Sequence, residues 1–557
     1  MVLLISLFIV ISICSGYSIS SAKTSNLTFT AQKKLHSCTS LTPISIYSCY
    51  LSKFPEENIN YRTNDAKLQW IGNTRATYEA EIDASSTSKF AFLELRSIDT
   101  VGEIFWNGEK IGHVANSFRR YLLDVSSRIL PKNHLQIDLS PPISSAKKLA
   151  EKDQIPQFPE CPVPAQTNGQ CHINMLRKAQ YSFSWDWGPS LPDSGINEEP
   201  KLISFDFSMI YDAKLNLLTK YSDVQQTVQL QLLILHPNSK EAPNGEIQVS
   251  FEPSLPFDLG EIIYEKFEGD KNLWKATADL SISIMDINWW WPHEMGKQDL
   301  YSVQFSWIPE KGEKSTIEKE FGFRSVELVQ EQLPDGRSFY FKINEKPIFM
   351  SGSNWIPSAS SIASFDNLYE DNLQSAVEAG IKILRVWGGG IYEQDAFYSL
   401  ANRLGIMIWQ DFMFTCSTYE NDSEFLNSVE KEVSDQIWRL SSNPSVIAWA
   451  GNNENEAALA TNWWSIPEEK MNLYFGQYRD LYTNTIQNTV IKEGLSSPFF
   501  LSSPSNGKES ELSPFGIAKN PYDPNYGDVH FYDYKSDCTD WRNFPKTRFA
   551  SEFGYQD

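Results

Sequence analysis

Val446-Ile-Ala-Trp-Ala-Gly-Asn-Asn-Glu-Asn-Glu456 opens as an unbroken apolar run and ends in amides and carboxylates. A short apolar run of this kind fits a strand buried on both faces, with polar chemistry gathered at its C-terminal end. The segment before it predicts a helix. Leu426, Val429, Val433, Ile437 and Leu440 keep one face apolar, and Asn443-Pro444-Ser445 ends the pattern. Helix, short loop, buried strand and a carboxylate at the strand end make one unit of a parallel β/α barrel. The unit recurs on both sides. Ile383-Leu-Arg-Val-Trp-Gly-Gly-Gly390 predicts a strand ending in glycines. Phe397, Leu400, Ala401 and Leu404 mark a helical face stopped by Gly405, and Ile406-Met-Ile-Trp-Gln-Asp411 predicts the next strand. Pro347-Ile-Phe-Met-Ser-Gly-Ser-Asn354 precedes them. Pro498-Phe-Phe-Leu-Ser-Ser503, Asp528-Val-His-Phe-Tyr532 and Arg548-Phe-Ala-Ser-Glu-Phe553 follow. Seven strands, mostly separated by helices, predict a (β/α)8 TIM barrel that is incomplete by its last strand and helices.

Two carboxylates stand out by position: Glu454 at the end of the fourth strand and Glu552 at the end of the seventh. Parallel barrel strands all end on one face, so residues distant in sequence can meet there. Two carboxyl groups about 5 Å apart are the equipment of a retaining glycosidase, one ionised as nucleophile, the other acting as acid and then base. Trp355, Trp387, Trp409 and Tyr534 lie near the strand ends and suit sugar faces, which are apolar between their hydroxyls. Glu456 competes with Glu454, and pattern alone does not choose. Arg385 and Asp411 either orient the catalytic pair or form ordinary barrel ion pairs. His530 reads as a structural histidine. Gly388-Gly-Gly390 lacks the spacing and Lys-Ser/Thr of a phosphate loop and reads as a backbone turn.

Gly451-Asn-Asn-Glu454 followed by Ser551-Glu-Phe-Gly554 resembles glycoside hydrolase family 2. More narrowly, Ser184-Trp-Asp-Trp-Gly188, Arg385-Val-Trp-Gly-Gly-Gly390, Trp409-Gln-Asp-Phe-Met413 and Phe549-Ala-Ser-Glu-Phe-Gly-Tyr555 are similar to the animal lysosomal β-mannosidase branch of that family. The resemblance covers nearly the whole chain after the leader. It implies Glu454 as acid/base, Glu552 as nucleophile, and sugar contacts from Trp185, Asp186, Trp187, Trp387, Asn453 and Tyr534. The implied activity is retaining removal of terminal, non-reducing β-D-mannose from oligosaccharides of N-linked glycoproteins, in the lysosome, without a cofactor. Two rivals stand beside it: another family 2 exo-β-glycosidase (galactosidase or glucuronidase), and a carbohydrate-binding fragment without catalysis. The Trp185-Asp186-Trp187 motif argues against the first.

The remaining chain fits a secreted, multidomain protein. Its 557 residues exceed one domain, and a net charge of −22 argues against nucleic acid as a partner. Residues 1–22 read as a cleaved signal peptide, apolar and short for a membrane span; no later stretch is apolar enough to cross a bilayer. A monomer is expected. The seven histidines and the cysteines form no metal-ligand constellation, so no metal is expected. Cys161 and Cys171 flank a Pro- and Gly-containing loop and read as a disulfide, which the family also pairs. A Cys38–Cys49 pair is left open, Cys416 reads as a buried free thiol, and Cys538 is expected to pair beyond Asp557. Asn26-Leu-Thr and Asn421-Asp-Ser are glycan acceptor sequences.

Residues 23–205 predict a β-sandwich. Phe90–Leu95 and Leu135–Leu139 alternate, and Asn107-Gly108 between apolar flanks signals a tight hairpin. The family implies a jelly roll resembling a sugar-binding module. Within it, Trp185 and Trp187 either plug the interface with the barrel or, with the family, place Asp186 over the barrel mouth as a buried acceptor for sugar hydroxyls. Residues 206–325 predict an immunoglobulin-like β-sandwich from the alternation in Thr227–Leu232 and Glu246–Phe251. Asn288-Trp-Trp-Trp-Pro292 reads as packing between domains. Phe321-Gly-Phe-Arg324 resembles the family's junction into the barrel, which occupies 326–557. An end at Asp557 leaves the barrel and the family's later β domains unfinished, so the chain reads as part of a longer protein.

Overall fold

The computed structural model describes residues 17–21, 25–31, 34–40, 44–59, 61–84, 88–161, 169–237, 240–359, 366–537 and 540–554. Cys14, Cys538 and most of the expected leader lie outside them. Tyr17–Ser21, inside the stretch read as leader, pairs antiparallel with Lys201–Phe205, so the first sandwich extends into that stretch.

That sandwich has two main sheets. One runs in the order Lys34–Ser40, Ser25–Ala31, Ala76–Asp83, Lys132–Leu139, Gly102–Trp106, Glu109–Val114; the other Tyr17–Ser21, Lys201–Phe205, Phe90–Leu95, Tyr121–Asp124. Their inner faces share one core, with Leu27, Tyr78, Ile104 and Leu135 from the first meeting Leu93, Leu95 and Tyr121 from the second. The hairpin at Asn107-Gly108 forms as predicted, with φ of 51° and 84°, the left-handed pair that favours Asn-Gly. Cys38–Cys49 and Cys161–Cys171 are disulfides, and Cys416 is free.

The second domain packs the sheet built on Met209–Leu217, Gln225–Leu235 and Leu273–Ser283 against Gly245–Glu252, Tyr301–Pro309 and Ser315–Phe321. Trp290 is fully buried and donates its indole N–H to the Asn402 carbonyl of the barrel at 2.8 Å, so the tryptophan run packs between domains. At the junction, buried Arg324 donates to the carbonyls of Pro444 (3.0 Å) and Val446 (2.9 Å). Burial without a facing carboxylate pulls its guanidinium down to about 10.

The barrel strands are β1 (Gly352–Trp355), β2 (Ile383–Val386), β3 (Met407–Asp411), β4 (Val446–Ala450), β5 (Phe499–Phe500), β6 (Val529–Tyr532) and β7 (Ala550–Gly554). β1 to β5 form one parallel sheet and β6–β7 a second parallel pair. Gly451 and Ser503 carry the wall from β4 past the short β5: Gly451 N–H donates to Phe500 and Ser503 N–H to the Asn452 carbonyl. The strand predicted at 347–354 begins later, because Lys346–Ile348 belongs to an antiparallel sheet with Tyr340–Ile343. That sheet adds Phe339, Phe341 and Ile343 to the inner barrel core of Met407, Trp409, Ile447 and Ala450. Helices α1 (Asp366–Glu378), α2 (Asp395–Leu404) and α3 (Ser423–Leu440) cover the outside. Gly405 ends α2 at φ 73°, and the Asp422 carboxylate accepts from Phe425 N–H to cap α3. Among the described residues no helix is long and apolar enough to cross a membrane.

Two expected sugar platforms are core residues instead. Trp409 is 1% exposed and packs edge-on to Phe500 at 4.7 Å. Trp355 packs on Phe397 and donates to Glu393 at 2.8 Å. Trp409 faces the barrel interior and donates to Asp411 at 2.9 Å, whereas Trp355 faces the outer helices, because strand positions alternate between the two sides of the wall.

The first sandwich is clamped to the barrel by a buried ion pair. Arg177 donates to both oxygens of Glu432 on α3 at 2.6 and 3.0 Å, and to the Met413 carbonyl at 2.7 Å. Asn116 and Tyr392 complete the hydrogen bonds of Glu432, each at 2.9 Å. Replacing Glu432 by Ala strands a buried guanidinium, which costs about 3–5 kcal/mol. Glu432→Ala is therefore expected to lower the stability measured by chemical unfolding by that amount. A loss within about 0.5 kcal/mol, the range of an ordinary surface substitution, would mean the clamp is not needed.

Candidate active site

The C-terminal ends of the barrel strands converge on Arg385. It lies on β2, is buried, and donates to partners from four other strand ends. Its Nη2 reaches Asp411 at the end of β3 (2.7 Å) and Asn453 after β4 (2.8 Å). Its Nη1 reaches Asn354 on β1 (3.0 Å) and Glu552 on β7. Burial lowers the guanidinium's proton affinity, but the charges of Asp411 and Glu552 outweigh it and raise it overall. Burial pushes Asp411 up to about 6 against the pull of Arg385. Arg385 thus holds Glu552 and Asn453, and Asp411 holds Arg385, an arrangement that fits the first of the two readings left open by the sequence.

Glu454 follows β4 and sits at φ 66°, a left-handed conformation that a non-glycine residue adopts at a cost. Its own N–H donates to the Ser503 carbonyl at 2.8 Å, which fixes the kink. The kink brings the carboxylate to the mouth. Oε1 lies 2.7 Å from His530 Nδ1, and Oε2 accepts from the Cys416 thiol at 3.1 Å. Burial raises the Glu454 carboxyl, but the hydrogen bond and charge of His530, then the thiol, hold it below the ordinary range. Glu456 is turned away. It is fully buried, accepts from Ser510 Oγ (2.5 Å) and Ala518 N–H (2.9 Å), and burial pushes it up to about 8. The tertiary fold separates the two glutamates that sequence pattern left equivalent.

Glu552 is held by Arg385 and by the Tyr532 hydroxyl, which donates to Oε2 at 3.0 Å. His530 Nδ1 lies 3.5 Å from the same Oε2. One oxygen of Glu454, one of Glu552 and this nitrogen all lie within 4.8 Å of one another. That carboxylate separation is the short spacing of a double-displacement glycosidase rather than the wide one of an inverting enzyme. The cluster is one that sequence spacing did not show, of a composition that could hold a metal ion; its nitrogen faces both carboxylates and Arg385 contacts Glu552.

Above the mouth lies the Trp185–Gly188 turn, closed by paired backbone hydrogen bonds of 3.1 and 3.2 Å. It is anchored to the barrel where Tyr181 N–H donates to Gly389 and Gln180 Nε2 to the Thr415 carbonyl. Trp387 receives Trp185 edge-on at 4.7 Å and Trp187 at 5.8 Å. Gly389 permits this fold-back, because a Cβ there would lie 2.0 Å from the Trp387 ring. Asp186 is exposed, not buried as expected, because it lies at the tip of the turn between Trp185 and Gly188. Partial burial raises its carboxyl, and the charges of Glu454 and Glu552 add to the rise. Asn453 is buried, accepting from Arg385 and donating to Thr415 Oγ1 at 2.9 Å. Tyr534 is exposed and stacks on Tyr532 at 6.4 Å, and Tyr532 in turn touches Glu552.

His530, Tyr532 and Cys416 are the site residues that sequence reasoning missed. A signal was present for two of them. His530 and Tyr532 alternate, so they share one face of β6, and parallel register sets His530 beside Glu552. Cys416 carried no signal, since its loop is shaped by contacts with Asn453 and Glu454.

The family model described as glycosyl hydrolase 2 galactose-binding domain-like matches residues 27–198, and the one described as glycosyl hydrolases family 2 matches 208–324. Together they take in more than half of the chain. Over 510 residues the chain is 40% identical to Beta-mannosidase of Rattus norvegicus, covering 89% of this chain and 56% of that protein. It is 35% identical over 567 residues to the Probable beta-mannosidase of Caenorhabditis elegans, covering 97% and 60%. The crystal structure of Beta-D-Mannosidase from Dictyoglomus thermophilum matches with a TM-score of 0.77 at 28% identity, over 96% of this chain and 63% of that one. The chain thus spans 56% to 60% of the length of these two curated relatives.

The Glu454–His530 pair sets a pH window. Burial lowers His530, but the charge of Glu552 and the bond it donates to Glu454 raise it overall. A raised histidine stabilises the fold below its unfolded value of about 6.5, and this is lost as pH rises through the folded value. The lowered Glu454 stabilises above its unfolded value of about 4.3, and this is lost as pH falls through the folded value. Both contributions are complete between about pH 4.3 and 6.5. His530→Asn is expected to lower Tm most inside that window and less on either side, by thermal scans against pH. A pH-independent loss would show that the pair is not charged.

Proposed function

The chain belongs to glycoside hydrolase family 2, and on that premise we propose that it is a retaining exo-β-mannosidase. Its substrates are oligosaccharides from N-linked glycoproteins with a terminal, non-reducing β-D-mannose. The observation that carries the proposal is the pair of carboxylates, Glu454 and Glu552, whose oxygens approach within 4.8 Å at the ends of β4 and β7. The choice of mannose draws on the names of the relatives and on the Trp185-Asp186-Trp187 turn over the mouth.

In this reading Glu552 attacks the anomeric carbon, and the bond to the leaving oxygen breaks with its electron pair on that oxygen. Glu454 supplies the proton that neutralises it. Glu454 then takes a proton from water, the oxygen of which displaces Glu552 and releases mannose with retained configuration. Arg385 and Tyr532 hold Glu552 in line. Asn453 meets the 2-hydroxyl, Asp186 accepts from the outer hydroxyls, and Trp185, Trp187 and Trp387 with Tyr534 line the sugar's faces. The proposed setting is the secretory route to the lysosome, with glycans on Asn26 and Asn421. Asn26 is exposed, whereas the Asn421 amide donates to Asp480 at 2.9 Å and would exchange that bond for a glycan.

The test compares nitrophenyl β-mannoside, β-galactoside and β-glucuronide with the purified protein. Selective β-mannoside cleavage is expected, and cleavage of another glycoside in its place sinks the substrate assignment. Glu552→Gln should lower kcat by roughly a thousandfold or more. Glu454→Gln should cost about 10²- to 10⁴-fold on an oligosaccharide yet spare the first step on a nitrophenyl leaving group. Near-normal rates in Glu552→Gln would overturn the mechanism.

A further inference from the structure

Behind His530 lies a hydrogen-bonded line that the mechanism above does not use. Its Nδ1 faces Glu454 (2.7 Å) and Glu552 (3.5 Å), while its Nε2 lies 3.2 Å from Ser503 Oγ. Ser503 Oγ donates to Asp528 Oδ2 at 2.6 Å, a shorter bond than its 3.4 Å approach to Ser551 Oγ. Asp528 is fully buried and also accepts from Ser551 Oγ (2.5 Å) and Ser505 N–H (3.0 Å). The single hydroxyl proton of Ser503 is therefore committed to a carboxylate. What Ser503 offers His530 is a lone pair, so Nε2 carries a hydrogen in either charge state.

This fixes where the imidazole can change. With Nε2–H occupied, the only exchangeable position is Nδ1, which points at the catalytic carboxylates. We propose that His530, oriented through Ser503 by Asp528, is a positioning residue that keeps one proton within reach of Glu454, so that the pair rather than Glu454 alone stores the proton of the site. The inference rests on the reading of Glu454 as acid/base. In the resting site the proton is on Nδ1 and is donated to Glu454 Oε1. For leaving-group protonation the Nδ1–H bond breaks with its electrons on nitrogen, and an O–H bond forms on Glu454, leaving the charge of the pair unchanged. The imidazole left behind is the neutral Nε2–H form that Ser503 already holds. When Glu454 later takes a proton from water, the proton returns to Nδ1.

The charged and titratable groups facing this pair are Glu552 and Tyr532 on the β6–β7 side, Arg385 from β2 with Asp411 behind it, Cys416 on the far oxygen of Glu454, Asp186 from the turn above, Tyr522 from the loop before β6, and Asp528 beneath. Only Asp528 reaches His530 through Nε2, so cutting that link should weaken proton binding by the pair while the nucleophile's contacts remain.

The experiment follows kcat/KM against pH for a β-mannoside with a poor leaving group, in the wild type, Ser503→Ala, Ser503→Thr and Asp528→Asn. In parallel, His530 is titrated by nitrogen-15 NMR of labelled histidine, assigned with His530→Gln. Ser503→Ala and Asp528→Asn should move the basic limb and the His530 midpoint down together by about one pH unit. Ser503→Thr, which keeps the hydroxyl, should restore both. An unmoved limb and midpoint in a folded Ser503→Ala protein, or a uniform loss of rate at every pH, overturns the proposal. If Asp528→Asn does not fold, Ser503→Ala decides. If the wild type cleaves no β-mannoside, the functional reading fails, while the NMR titration still tests the Ser503–Asp528 relay.

Discussion

Arg385 is the side chain on which the barrel mouth depends. A buried guanidinium stays fully charged at little cost where carboxylates neutralise it and oxygens take up its N–H groups. Asp411 and Glu552 supply the charge, and Asn354 and Asn453 the remaining acceptors, so one residue ties together the ends of β1, β2, β3, β4 and β7. The same bonds that offset its desolvation fix the rotamers of the groups a glycosidase needs. Stability of the mouth and geometry of the chemistry are therefore one arrangement. It does not come from the strand ladder, because β6–β7 forms a separate pair from β1–β5.

The second constraint is the clamp between the first sandwich and α3. Arg177 and Glu432 are both buried, and their bond holds the segment that runs through Gln180 and Tyr181 to the Trp185–Gly188 turn. A turn from one domain can serve as the roof of another's site only if the interface is rigid. Here the rigidity comes from a fully satisfied polar network rather than from apolar area alone. The strain at Glu454 fits the same picture. A left-handed glutamate persists because Ser503, Cys416 and His530 each hold it.

The two carboxylates proposed for catalysis sit in unlike surroundings. Glu552 meets a permanent cation and a phenol, whereas Glu454 meets a histidine and a thiol, groups that can gain or lose a proton. Different environments for two chemically equal side chains are how one site runs nucleophilic and acid/base roles together. The further carboxylates, Asp411 and Asp528, act through Arg385 and through Ser503 with His530, so the charge of the site is layered from the mouth inward.

The sequence by itself determined the parallel barrel, both β-sandwiches, the Asn107-Gly108 hairpin, the Gly405 helix stop and the carboxylates gathered at the ends of β4 and β7. These rest on local signals: strand and helix periodicity, turn residues with left-handed φ, and a motif whose spacing survives without coordinates. Only the tertiary structure decided that Glu456 is buried away from the mouth, that Trp355 and Trp409 are core, that Asp186 is exposed, and that Tyr532 reaches Glu552. It also decided that His530 stands between the two carboxylates. The reason is physical. Which way a side chain points at a strand end depends on register with a neighbour that can be distant in the chain, as His530 is from Glu454. Local periodicity carries no record of that register.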